Sequence, residues 1–168
     1  GARRWLACGL LTGLYALSTW IHCSWYLLAL MPLAMLLARQ WRAFAFTAAC
    51  VALGVGLGAL ATGDPLGFWW QTLRHLQLSL GGEVLTRMLV SEFQPGNGDP
   101  LTLAALAMLL LWRASRGEWS WKRLDTPVLI LAVLCWILSF KVIRFWEDWG
   151  LPALLVWMTL EVQDLLRT

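Results

Sequence analysis

Six stretches of this chain carry no Asp, Glu, Lys or Arg: residues 5–21, 24–38, 43–62, 101–112, 126–140 and 151–160. Apolar runs of that length, repeated six times in 168 residues, are more than one water-soluble core can absorb. The whole chain is 60% hydrophobic and 14% charged, against roughly 45–50% and 25% in soluble domains. Hydrocarbon is the natural solvent for the excess. The expected fold is all-α: a polytopic transmembrane helical bundle with about six membrane helices, forming a single membrane domain over residues 1–168. The stretch 43–62 comes nearest to the ~20 residues that a bilayer core requires. The last three are short, since about 15 helical residues cover roughly 22 Å. They are extended by flanking turns, packed inside a bundle, or are half-helices of the kind that line substrate cavities.

Tryptophan placement points the same way. Of 13 Trp residues, only Trp136 and Trp157 lie inside an apolar run; the others sit at or near run ends. An indole favours the headgroup level, where its ring is half apolar and its N–H stays wet. Cys8, Cys23, Cys50 and Cys135 show no CxxC or Cys/His spacing. They read as small apolar fillers, with no disulfide framework, metal site or cofactor expected. A net charge of +3 without a basic cluster gives no reason to expect nucleic acid. No small-residue cleavage site follows the first run, so no signal peptide is expected. We expect the chain to be a fragment cut at both ends.

Orientation follows from Lys and Arg. With the N-terminus cytoplasmic and every stretch crossing, nine basic residues fall inside and four outside (Arg74, Arg87, Lys141 and Arg144), while six of ten acids fall outside. The positive-inside rule favours this topology over its inverse. It puts the longest connection, residues 63–100, on the extracytoplasmic side. Within it, Phe68, Trp69, Leu73, Leu76 and Leu80 recur at helical spacing. Residues 67–80 are therefore expected to form an interfacial amphipathic helix. Val84, Leu85, Met88 and Leu89 suggest a second short one. A turn cluster over 94–100 follows, and Pro100 can open the next helix.

Three places carry chemistry-bearing residues, all on the outer side. His22, in Trp20-Ile21-His22-Cys23-Ser24, can bind a phosphate or hydroxyl or shuttle a proton; the alternative is a hairpin turn that it satisfies. Glu92, in Ser91-Glu92-Phe93-Gln94-Pro95, can accept from sugar hydroxyls or act as a base; the alternative is a solvated acid. Lys141, Arg144 and Asp148 share a face if the fifth helix continues, and Glu147 is spaced to orient the Arg144 guanidinium. Arg beside an apolar cavity suits a phosphate or pyrophosphate; the alternative is a pair snorkelling to headgroups. P-loop, GxGxxG, HExxH and GxSxG motifs are absent from the sequence.

These three segments resemble, in order and rough spacing, motifs of bacterial polytopic membrane proteins of the glycosyltransferase C (GT-C) type. Trp20 to Ser24 is similar to Trp-x-His-Gly-Ser, with Cys23 in place of Gly. Ser91 to Pro95 is similar to a Glu-Trp-x-Pro segment, with Phe93 in place of Trp. Arg144-Phe145-Trp146-Glu147 with Pro152 resembles Arg-Phe-x-Glu…Pro. The resemblance implies an enzyme in the bacterial inner membrane using a polyprenyl-phosphate sugar donor at its outer face. Its substrate-binding residues would be His22, Glu92, Lys141, Arg144 and Glu147. The catalytic acid of such enzymes lies in their first outer loop. The first outer turn here has neither Asp nor Glu, so the resemblance implies a later-half fragment. A transporter or flippase of lipid-linked substrates, or a non-catalytic membrane scaffold, are the alternatives.

The topology makes a direct prediction. A membrane-impermeant thiol reagent added from outside should label single cysteines placed within 63–100 or near Trp146. Gly117→Cys and Arg39→Cys should stay unlabelled, and labelling of Gly117→Cys from outside would invert the orientation.

Overall fold

The computed structural model describes residues 2–21, 25–81, 96, 100–117, 120 and 124–167. Every regular element among the described residues is helical. The chain forms two compact units, Gly1–Gly82 and Glu83–Thr168.

In the first unit, α1 spans Ala2–Ile21, α2 Leu30–Leu37, α3 Trp41–Ala61 and α4 Pro65–Gly81. The apolar stretch 24–38 is therefore not one uniform helix. It opens as a 3-10 turn, Trp25–Ala29, and becomes α-helical only at Leu30. Pro32 gives a reason: it lacks an N–H and is tolerated in the first α-helical turn, where that donor has no partner to lose. At the other end, Arg39 adopts a left-handed backbone with φ of 58°. Its N–H donates to Leu36 O at 3.0 Å and that of Gln40 to Met35 O at 2.9 Å. This closes the helix as a glycine usually does, and the chain doubles back into α3. Asp64 begins α4, its Oδ1 accepting from the Gly67 N–H at 2.9 Å, with Pro65 at the first helical position.

The core of this unit lies between α1 and α3. Cys8 meets Cys50, and Gly54 and Gly58 face the Thr12–Tyr15–Ala16–Thr19 side of α1. Contacts advance together along both helices, so the two run parallel and the α2 segment returns between them. A methyl added at Gly54 would lie 2.5 Å from Tyr15 Cβ, and one at Gly58 would lie 2.6 Å from Ala16 O. The backbones thus approach more closely than any side chain permits. The outer surfaces carry the large apolar groups: Leu6, Leu10, Leu14 and Leu17 on α1, and Leu53, Leu57 and Leu60 on α3, each about half exposed or more. Helices with small residues between them and large ones outside pack by close backbone approach. α3, with 21 residues, is the one described helix long and apolar enough to cross a membrane; at 1.5 Å per residue it measures about 31 Å.

The second unit comprises α5 (Pro100–Ser115), α6 (Pro127–Ser139) and α7 (Leu151–Leu165). Pro100 does begin α5. α6 starts at Pro127, capped by Thr126 Oγ1, which accepts from the Leu129 N–H at 3.4 Å. α7 is preceded by a π-helical turn, Trp146–Gly150. Gly150 packs on Cys135, where an added methyl would lie 2.9 Å from its Cβ. Trp146 and Trp157 are both buried, so Trp146 is a core residue here and not an interfacial one. The Gly96 N–H donates to Ser139 O at 2.9 Å.

The helix expected over 67–80 is present as α4. Trp69 packs edge-on against Trp25, 4.9 Å between centroids, while Leu73 is exposed. The short helix expected at Val84–Leu89 and most of the 94–100 turn lie outside the described residues.

Two neighbouring glycines test the packing. An added methyl at Gly56 meets nothing within 4 Å, so Gly56→Ala should stabilise by up to about 1 kcal/mol through helix propensity. Gly58→Ala should destabilise by about 1–3 kcal/mol through overpacking. Unfolding midpoints in detergent read both; equal midpoints would remove the close contact.

Candidate functional site

Arg144 sits where the sequence expectation and the structure meet, but the local framework differs from a continuing helix. α6 ends at Ser139 and the chain turns through residues 140–143, with the Lys141 N–H donating to Leu138 O at 3.0 Å. Lys141 is therefore off the helical face that the i, i+3, i+7 spacing assumes. Arg144 and Asp148 remain together: Arg144 Nε donates to Asp148 Oδ2 at 2.7 Å. The carboxylate on the guanidinium is thus Asp148, one residue beyond the Glu147 picked out by spacing. Glu147 and Lys141 are exposed.

The pair rests on a rigid base. Trp146 is directed inward against Gly150 and Cys135. Its backbone N–H donates to Ile143 O at 2.8 Å. With Trp146 pinned below, Arg144 and Asp148 are held at the surface, their side chains 35% and 44% exposed. A guanidinium whose plane is fixed by a carboxylate on Nε is pre-organised for a planar or tetrahedral oxyanion. The pair itself adds little stability, because exposed ion pairs contribute about 0–1 kcal/mol.

A second charged locus lies at the far end of α7, and the sequence reading passed over it. Arg113, in the last turn of α5, is buried, its side chain 4% exposed. Its Nε lies 2.5 Å from Glu161 Oε2, and Nη2 lies 3.1 Å from Asp164 Oδ2. Nη2 also donates to Glu161 O at 3.1 Å. Glu161 and Asp164 are three apart on α7, which puts both carboxylates on one helical face. A usable signal was present: Arg113 closes one apolar run, and Glu161 follows another directly. Charges so close to apolar runs call for a partner.

His22 and Glu92 lie outside the described residues. In the first unit an aromatic group forms from Trp25, Tyr26, Phe68 and Trp69, and the Arg74 guanidinium stacks 5.1 Å over Trp70. Among the described residues no three His, Cys, Asp or Glu side chains gather into a metal-binding set. Comparison with family models, curated proteins and solved structures finds no match to this chain.

The two loci should respond unequally to neutralisation. Glu161→Gln removes one of the two carboxylates on the buried Arg113, which Asp164 still holds, and should cost about 1–3 kcal/mol. Asp148→Asn should cost no more than about 1 kcal/mol. Equilibrium unfolding of both variants in the same detergent checks the contrast, and a tolerant Glu161→Gln would mean that the α5–α7 pairing does not carry the fold.

Proposed function

We propose that this chain is a membrane-embedded domain of a GT-C-type glycosyltransferase, with Arg144 receiving the phosphate of a polyprenyl-phosphate sugar donor. One observation carries the reading. Arg144 is held, partly exposed, at the entry to α7, and the body of α7 presents Leu155, Val156 and Leu160 outward. A fixed guanidinium at the end of an outward-facing apolar helix matches a lipid-linked phosphate: an anionic head above a hydrocarbon tail.

The packing of the first unit supports embedding in a bilayer. On α1 the inward side carries Cys8, Thr12, Tyr15, Ala16 and Thr19, and the outward side carries Leu and Trp. A helix in water would reverse this order, since exposed apolar patches of that extent are rare on soluble monomers. The outer-face placement follows from the distribution of Lys and Arg, and α4, three residues after the end of α3, would then lie at the outer interface. The membrane would be a bacterial inner membrane. His22, Glu92, Lys141 and Glu147 are the further substrate-binding residues of this proposal. The catalytic acid would come from a part of the protein outside this sequence.

Arg144→Lys separates phosphate binding from headgroup snorkelling, because Lys reaches the interface but lacks the bidentate fork. Charge-assisted hydrogen bonds contribute about 1.5–3 kcal/mol each, so Arg144→Lys should weaken polyprenyl-phosphate binding about tenfold or more. Lys141→Ala should weaken it least and His22→Ala by an intermediate amount. The measurement is native mass spectrometry of the full-length protein with added polyprenyl phosphate. Unchanged binding by folded Arg144→Lys would remove the phosphate site. Binding lost without any effect on sugar transfer would favour a carrier of lipid-linked substrates.

A further inference from the structure

The tightest helix contact in the first unit brings two thiols together. Cys8 Sγ on α1 lies 3.6 Å from Cys50 Sγ on α3, although 42 residues separate them. Both are free. They belong to the parallel α1–α3 contact. One turn further along α3, a methyl at Gly54 would lie only 2.5 Å from Tyr15 Cβ. Bridged cysteines have Cβ atoms about 3.5–4.5 Å apart. At Cys8 and Cys50 themselves the two sulfurs, 3.6 Å apart, have about 1.5 Å to close to reach an S–S bond of about 2.05 Å.

The two thiols are not equivalent. Cys8 is half-buried, while Cys50 is 1% exposed. An accessible cysteine beside a sheltered one has the arrangement of an attacking thiol and its resolving partner. We propose that Cys8 and Cys50 form a redox pair that closes into a disulfide staple between α1 and α3 when it meets an uncharged disulfide oxidant.

The step balances in two exchanges. Cys8, as thiolate, attacks one sulfur of the oxidant. A new S–S bond forms, the oxidant's S–S bond breaks, and one thiol leaves with the displaced proton. Cys50 then attacks the Cys8 sulfur of that mixed disulfide, releasing the second thiol. Two protein thiols are oxidised to one disulfide, and the oxidant is reduced to two thiols. The oxidant must be uncharged because the apolar flank of α1, Leu6 and Leu10 about 60% exposed, is the approach to Cys8. This chemistry is independent of any role for Arg144 and of the glycosyltransferase reading.

The test uses 4,4′-dithiodipyridine, an uncharged aromatic disulfide, on the purified protein, followed by non-reducing digestion and mass spectrometry. The expected product is a peptide pair linked through Cys8 and Cys50, at least tenfold more abundant than any link to Cys23 or Cys135. Cys50→Ser should trap Cys8 as its thiopyridyl adduct, because the resolving thiol is gone. Cys8→Ser should leave Cys50 unmodified until the protein is denatured. Circular dichroism of each variant confirms that it is folded. Separate adducts on Cys8 and Cys50, links scrambled among all four cysteines, or two unreactive thiols in the folded wild type would each overturn the proposal.

Discussion

The close approach of α1 to α3 is the contact on which the first unit depends. Gly54 and Gly58 leave no room for a side chain against Tyr15, Ala16 and Thr19. Where two helices meet at that distance, glycine sits opposite the larger residue, as Gly54 does opposite Tyr15, and Leu6, Leu10, Leu14, Leu17, Leu53, Leu57 and Leu60 are found outside. The parallel register also requires a return segment, which the 3-10 turn and α2 supply. In water such an arrangement would expose its apolar surface and bury too little. In hydrocarbon, where apolar burial between helices contributes little, close packing of small residues is the remaining attraction.

The second unit is organised by charge as well as by packing. From Asp148 to Glu161 the chain advances about 20 Å at helical rise, with apolar residues dominating between. At one end the Arg144–Asp148 pair is partly exposed. At the other Arg113 and Glu161 are withdrawn, with the partly exposed Asp164 beside them. These positions have different physical consequences. The exposed pair is solvent-screened and contributes little to folding. The buried set is costly to form and more costly to break, so its consequence is to hold α5 on α7.

Much of the helical framework was legible without coordinates. The uncharged runs correspond closely to α1, α3, α5 and α6, because helix formation in a run without breakers follows from local propensity and burial. α4 was legible because Phe68 and Leu76 repeat at helical spacing, and Pro100 because proline is favoured in a first turn. In the second unit three features departed from expectation. The chain breaks after Ser139, which removes Lys141 from the Arg144 face. Asp148, four residues on, and not Glu147 takes the guanidinium. Trp146, at a run end like most of the tryptophans, turns inward because Gly150 leaves space for its ring.

The sequence by itself determined that this chain is helical, where its apolar runs lie, and which arginine follows the fifth run. Those properties depend on neighbours within a few residues, and the chain order contains them. Only the tertiary structure decided that Cys8 meets Cys50, that Gly54 and Gly58 are contact residues, and that Arg113 is held by Glu161 and Asp164. Each of these joins residues more than 35 positions apart. Such pairings depend on the register in which helices pack, and that register emerges only when whole faces are fitted together.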